Sequence, residues 1–177
     1  MFTMATLTNS GRAAMALAVS QRPLHLAWGT GDPAWDDDNA DLPSLVEREA
    51  LVHEIGRRVP ASIGFVVPDE TNGDIVVPTG VKPDGTVIEA RYRQVAGPTP
   101  HLYIRTNYDY GDASNATIRE IAVYMDTVTK AGLPPGQRYF LPADLESPGL
   151  MLAAQIIKPC INRSPATRHS LEFVLPI

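Results

Sequence analysis

Apolar residues recur along this chain mostly with a period of two, in short runs separated by turn residues. One exception comes first. Residues 9–20 carry Ala13, Ala14, Ala16, Leu17 and Ala18, with capping chemistry at Thr8, Asn9 and Ser10 and a stop at Pro23, which predicts a helix. Its apolar side chains are small, so it should lie close against another surface without filling a deep core. Leu24–Trp28 then alternates as a short strand. Strand-like sequence runs from Ala50 to Val67, broken by Gly56 and Pro60, and returns at Asp74–Val77. Thr86–Val95 sets Ile88, Ala90 and Tyr92 against Glu89, Arg91 and Arg93, the pattern of a half-buried strand with one wet face. Leu102, Ile104 and Thr106 alternate again. Ile118–Met125 is apolar on both faces and is predicted to be a central strand. Leu150–Ile157 and Ser170–Leu175 close the series, the last with Leu171, Phe173 and Leu175 on one face.

Between these runs the turn chemistry is dense. Pro68–Gly73, Pro83-Asp-Gly85 and Asp109–Asn115 read as turns, and Gly29–Asp41 as a loop. Ser44-Leu-Val-Glu47 has capping-box spacing, so a short helix is predicted to start at Ser44. Residues 126–149 contain Gly132, Pro134, Pro135, Gly136, Pro142, Pro148 and Gly149. Such a stretch is expected to be a long irregular loop, ordered by a partner. Sixteen prolines in 177 residues favour many short segments over long helices, and the length suits a single domain spanning 1–177, since domains cluster near roughly 100–150 residues.

Charge and cysteine content narrow the function. A net charge of −5 with no basic block longer than Arg57-Arg58 argues against a nucleic-acid partner. A single cysteine, Cys160, excludes an intrachain disulfide and a multi-cysteine zinc site, and it reads as a small hydrophobe. No window approaches the apolar length of a membrane span, and the start lacks the pattern of a signal peptide. A reducing cytoplasm fits these features.

Templates for chemistry fail one by one. Asp36–Asp41 is the only dense oxygen cluster. Read as an EF-hand from Asp37, it puts Leu42 where Gly is required and Arg48 where the closing carboxylate belongs. Read from Asp36, it gains Glu47 but has Ala40 and Asp41 at the fifth and sixth positions. A solvated, mutually repelling loop is the better reading, with an irregular cation site as the alternative. His53-Glu54 opens a zinc-protease motif that Arg57 breaks, and His25, His101 and His169 have no companion at ligand spacing. Gly29-Thr-Gly31 lacks a third glycine and runs into Asp32-Pro33, which suits no phosphate. No GxSxG elbow occurs. No catalytic, cofactor-binding or metal-binding residue is therefore assigned. Tyr103, Tyr108 and Tyr110, with Tyr139 and Phe140, form an aromatic set of the kind enriched at interfaces, the alternative being that they cover a sheet face.

The blocks Leu7-Thr-Asn-Ser-Gly-Arg12, Ala27-Trp-Gly-Thr-Gly31, Asn107–Met125 and Arg163…Arg168…Glu172-Phe-Val174 occur in an order that resembles the tail and baseplate proteins of tailed bacteriophages, in particular fibre-attachment modules. The resemblance implies an α+β module, an N-terminal helix packed on a mainly antiparallel β-sheet or sandwich with long Pro/Gly-rich loops. It implies a structural role in the virion tail, as a baseplate subunit or an adaptor attaching tail fibres. The partners would be other tail or baseplate proteins and fibres, with the chain homo-oligomeric in a particle assembled in the host bacterial cytoplasm. The chain lacks the repetitive shaft of a fibre, which favours an adaptor over a receptor-binding tip. A small non-catalytic carbohydrate- or protein-binding module is the alternative.

Overall fold

The computed structural model describes residues 5–81 and 86–177, so the turn expected at Pro83-Asp-Gly85 lies outside the described residues. One α-helix, α1 (Asn9–Ser20), leads into β1 (Leu24–Gly29), β2 (Glu54–Arg58), β3 (Ser62–Pro68), β4 (Ile75–Val81), β5 (Val87–Val95), β6 (His101–Tyr108) and β7 (Thr117–Met125). The chain continues through β8 (Val128–Thr129), β9 (Tyr139–Phe140), β10 (Leu145–Ser147), β11 (Leu150–Asn162) and β12 (His169–Pro176). Single 3₁₀ turns occupy Pro33–Asp36 and Pro142–Asp144.

The fold class differs from the α+β expectation: the described residues are mainly β, with 46% in strands, 11% in helix and a single α-helix among them. The reason lies in the helix itself. Thr8 caps it, its side chain accepting the Gly11 N–H at 3.1 Å. Yet only Ala16 is fully buried, while Met15 and Leu17 are exposed. A helix with such small inward side chains cannot supply a layer of core, so sheet faces do.

The strands form two five-stranded sheets, ordered β11-β7-β1-β2-β9 and β12-β6-β3-β5-β4, plus a β10-β8 ribbon. The pairings among them are antiparallel: Leu26 opposes Val123 on one side of β1 and Arg58 on the other. β7 lies between β11 and β1, the central position that its two apolar faces require. By contacts the chain falls into two compact units, the first made from the described parts of Met1–Gln21, Ser62–Arg105 and Glu172–Ile177, the second from Arg22–Ala61 and Thr106–Leu171. In the first unit Val66, Ile75, Val77 and Tyr103 form a core against which Tyr92 and Val174 pack. In the second, Ala27, Leu51, Ala122 and Tyr124 do so, flanked by Met151 and Ala154.

Two local expectations change. No helix starts at Ser44. The hydroxyl accepts the Val46 N–H at 3.4 Å and one turn closes from Arg48 N–H to the Leu45 carbonyl, but Val46 is 92% exposed. A short helix with no apolar surface to cover is not stable. Residues 126–149, expected to be irregular, hold β8, β9, β10 and a 3₁₀ turn. Their backbone groups are satisfied locally, with Lys130 N–H on the Asp144 carbonyl at 2.8 Å and Val59 N–H on the Arg138 carbonyl at 3.0 Å.

Candidate functional site

Within the second unit, β1, β9 and the end of β6 bring together an aromatic cluster. β1 contributes Trp28, β6 contributes Tyr108 and β9 contributes Tyr139. The Trp28 and Tyr108 rings stack at 3.4 Å and 16°, and Tyr139 meets both edge-on at 6.4 and 6.3 Å. Pairs of this kind contribute about 0.5–1.5 kcal/mol beyond the area they bury. Each polar tip has a partner: Tyr108 Oη donates to the Leu26 carbonyl at 2.6 Å, Trp28 Nε1 to Tyr139 Oη at 3.2 Å, and Tyr139 Oη to the Ile55 carbonyl at 3.2 Å. Burial pushes both tyrosine hydroxyls above their ordinary range. Gly56 makes the arrangement possible, because a Cβ there would overlap the Tyr139 hydroxyl and ring.

Arg163 fixes a surface turn to this cluster. Its guanidinium lies 5.1 Å from the Trp28 ring centroid and is almost fully buried. It donates to the Asp109 carbonyl at 2.6 Å, the Asp112 carbonyl at 3.1 and 3.3 Å, the Thr167 carbonyl at 3.0 Å and His169 Nδ1 at 2.7 Å. Since arginine only donates, His169 Nδ1 accepts here. Burial, and then the Arg163 charge, lower the His169 pKa. The held segment is the 109–115 turn, closed by Asp109 N–H on Asp112 Oδ2 at 2.7 Å, with Ala113 and Asn115 at positive φ. Asp112 also pairs with Arg58.

On the outside of this turn Tyr110 is 47% exposed. Arg168 lies 4.8 Å over its ring and 2.8 Å from Asp109, and this hydrogen bond is the main reason the Asp109 carboxyl titrates below its usual range. The same unit has a polar groove of about 300 Å³ lined by Arg58, Val59, Ala61, Asn107 and Arg138. The turn thus presents an exposed aromatic ring and a carboxylate, with a guanidinium over both.

A second buried arginine braces the 126–149 segment. Arg57 is fully buried, with Nε and Nη2 donating to the two Glu54 carboxylate oxygens at 2.7 Å each and its guanidinium 3.9 Å from the Tyr124 ring centroid. Its remaining nitrogen donates to Thr127 Oγ1 at 2.7 Å and to the Pro148 carbonyl at 2.6 Å, gripping both ends of the segment.

The five residues singled out from sequence fall in different places. Tyr110 alone is well exposed. Tyr108 is fully buried, Phe140 nearly so, and Tyr139 is half-buried within the cluster. Tyr103 is buried in the first unit, where burial and then Glu172 push its pKa up to about 12. Sequence reasoning missed the Arg57–Glu54 and Arg58–Asp112 pairs. The i,i+3 spacing of Glu54 and Arg57 was a faint signal, but Asp112 lies 54 residues from Arg58. Within the acidic loop Asp36 is paired with Arg119 at 2.7 and 2.8 Å, and Asp37 accepts the Asn39 N–H at 2.9 Å. Cys160 is half-buried. Among the described residues no three His, Cys, Asp or Glu side chains are grouped to hold a metal ion, and no helix is long and apolar enough to cross a membrane.

The described residues thus form a mainly β protein in which buried Arg57 and Arg163 brace surface segments. Residues 4–177 match the family described as "Baseplate wedge 3 tail fiber network component". The chain belongs to that family, and is a structural protein of the phage tail baseplate. No curated protein matches it.

Proposed function

We propose that this baseplate protein is an adaptor that attaches tail fibres, and that the 109–115 turn with the adjoining groove is its contact surface. The observation that carries the reading is Tyr110: an exposed aromatic under Arg168, on a turn whose Asp109 and Asp112 carbonyls accept from buried Arg163. Preorganisation of this kind lowers the ordering cost of binding. In this reading Tyr108, Tyr139 and Phe140 serve from beneath the surface by setting the turn's position, and Tyr103 performs the same office in its own unit. The partner is another tail protein, since the net charge of −5 opposes a phosphate backbone. The role requires no catalytic step, and the chain is made in the host cytoplasm before it joins the tail.

The test is a Tyr110→Ala, Arg168→Ala double variant. Both side chains are exposed, and a solvent-screened surface pair such as Arg168–Asp109 contributes little to stability, so melting should stay within a few degrees of wild type. Loss of an interface tyrosine often costs about 2 kcal/mol, or about thirtyfold in affinity. Particles made with the variant should therefore lack fibres or this subunit. Fully fibred, infectious particles carrying a normally folded variant would contradict the proposal.

A further inference from the structure

Among the described residues no carboxylate bonds the buried guanidinium of Arg163. Its acceptors are the Asp109, Asp112 and Thr167 carbonyls and a single lone pair, that of His169 Nδ1 at 2.7 Å. The imidazole can fill this place only while it is neutral, because a protonated ring has two donors and no acceptor. His169 is half-buried at the start of β12, where the neighbouring Ser170 hydroxyl lies 3.0 Å from Asn107 Oδ1 on β6. The charged groups around it are otherwise engaged. Arg168, the residue before it, lies 2.8 Å from Asp109 and over the Tyr110 ring. The Asp112 carboxylate accepts the Asp109 N–H at 2.7 Å and pairs with Arg58, and Glu172, further along β12, is 3.7 Å from Arg105.

We propose that His169 is a pH latch on the 109–115 turn: neutral, it holds Arg163 on the turn's carbonyls, and protonated, it displaces the guanidinium and loosens the turn. Protonation puts a hydrogen on Nδ1 where that atom now accepts. It also sets a second cation at hydrogen-bond distance from a side chain that is 5% exposed. Like charges so close repel strongly where little water screens them. The Arg163 bonds to the Asp109 and Asp112 carbonyls tie the turn to the Trp28 cluster, so moving the guanidinium frees the turn from beneath. Two other ties survive in mild acid. The Arg163 N–H stays on the Ala116 carbonyl at 2.8 Å, and Arg168 keeps Asp109, whose carboxyl titrates below its usual range. The sign follows from the surroundings: burial, and then the Arg163 charge, lower the His169 pKa from 6.5, so the open turn takes up the proton more readily than the closed one. Opening is therefore favoured as pH falls below 6.5 and suppressed above it. As control of a contact surface this rests on the adaptor reading, but the latch itself operates in the free chain.

Hydrogen exchange of the whole free chain, together with an NMR titration of its imidazoles, tests the latch. The Asp109, Asp112 and Ala116 N–H groups are bonded within the turn and report its opening. From about pH 7.5 to about pH 5.5 their exchange, corrected for the intrinsic change with pH, should rise by up to about tenfold. The rise should follow the His169 titration while the amides of β7 stay protected. His169→Asn places an amide oxygen near the Nδ1 position with no proton to gain. Its turn should be as protected as in wild type at about pH 7.5 and should lack the rise. The wild-type titration decides alone if the variant does not fold. Turn exchange that ignores the titration of His169 would overturn the proposal, as would a His169 that stays neutral until the protein unfolds. A rise that β7 shares, or that survives in a folded His169→Asn variant, would overturn it too, since the response would then come from His25 or another group. None of these outcomes bears on whether a fibre binds the closed turn, which the Tyr110→Ala, Arg168→Ala variant reads on particles.

Discussion

His25 shows how much a single side chain can impose. It lies on β1, almost fully buried, with Phe140 edge-on at 5.7 Å and no hydrogen-bond partner for Nδ1 among the described residues. Burial, and then the Arg57 charge, lower its pKa from 6.5 to about 4. A histidine with a depressed folded-state pKa binds fewer protons folded than unfolded, so stability rises with pH between those two values and is lost as pH falls from 6.5 towards 4. The loss should reach about 2 kcal/mol near pH 4.5. His169 pushes in the same direction, while the depressed carboxyls of Asp36, Asp69 and Asp109 act at lower pH. Denaturant unfolding at neutral and mildly acid pH should show this slope in wild type and a flatter one in His25→Leu; equal slopes would remove His25 as its source. The sequence made the aromatic residues visible as a set, but not their burial. Alternation in Leu102–Tyr108 separates two faces without saying which is covered, so Tyr108 and Tyr110 look alike in sequence although one is core and one is surface.

The elements that sequence revealed are those stabilised by their own residues. α1 was legible because Thr8 caps it and its alanines favour helix, and β7 because both its faces are apolar. The elements of 126–149 were not, because β9 exists only through its partner: Arg57 opposes Phe140 and Arg58 opposes Tyr139, about eighty residues apart. Buried Arg57 completes that long-range assembly, and removing one member of a buried pair costs about 3–5 kcal/mol. Arg57→Met should lower the unfolding free energy by about 3 kcal/mol and free the segment that it grips at Thr127 and Pro148. Trypsin should then cut at Lys130 and Arg138 faster than in wild type, where Lys130 Nζ is bound to the Ala143 carbonyl and Arg138 to the Pro60 carbonyl. Identical cleavage rates in both proteins would show that Arg57 does not order the segment.

At the scale of the whole molecule, the chain crosses between its two compact units at residues 21/22, 61/62, 105/106 and 171/172, so neither unit is a continuous stretch of sequence. Local patterning could not reveal that division, since it is made by strand pairing across most of the chain. The tail and baseplate identity was legible from blocks at both ends and is carried by a family match over residues 4–177. Within that family this chain offers a braced turn with Tyr110 at its tip and a polar groove in the same unit. Electron microscopy of baseplates from purified virions, at a resolution that shows side chains, tests this role most directly. The expected result is this subunit joined to a fibre protein through the 109–115 turn, with Tyr110 and Arg168 covered by the neighbour. Baseplates in which that turn faces solvent while fibres attach elsewhere would contradict it.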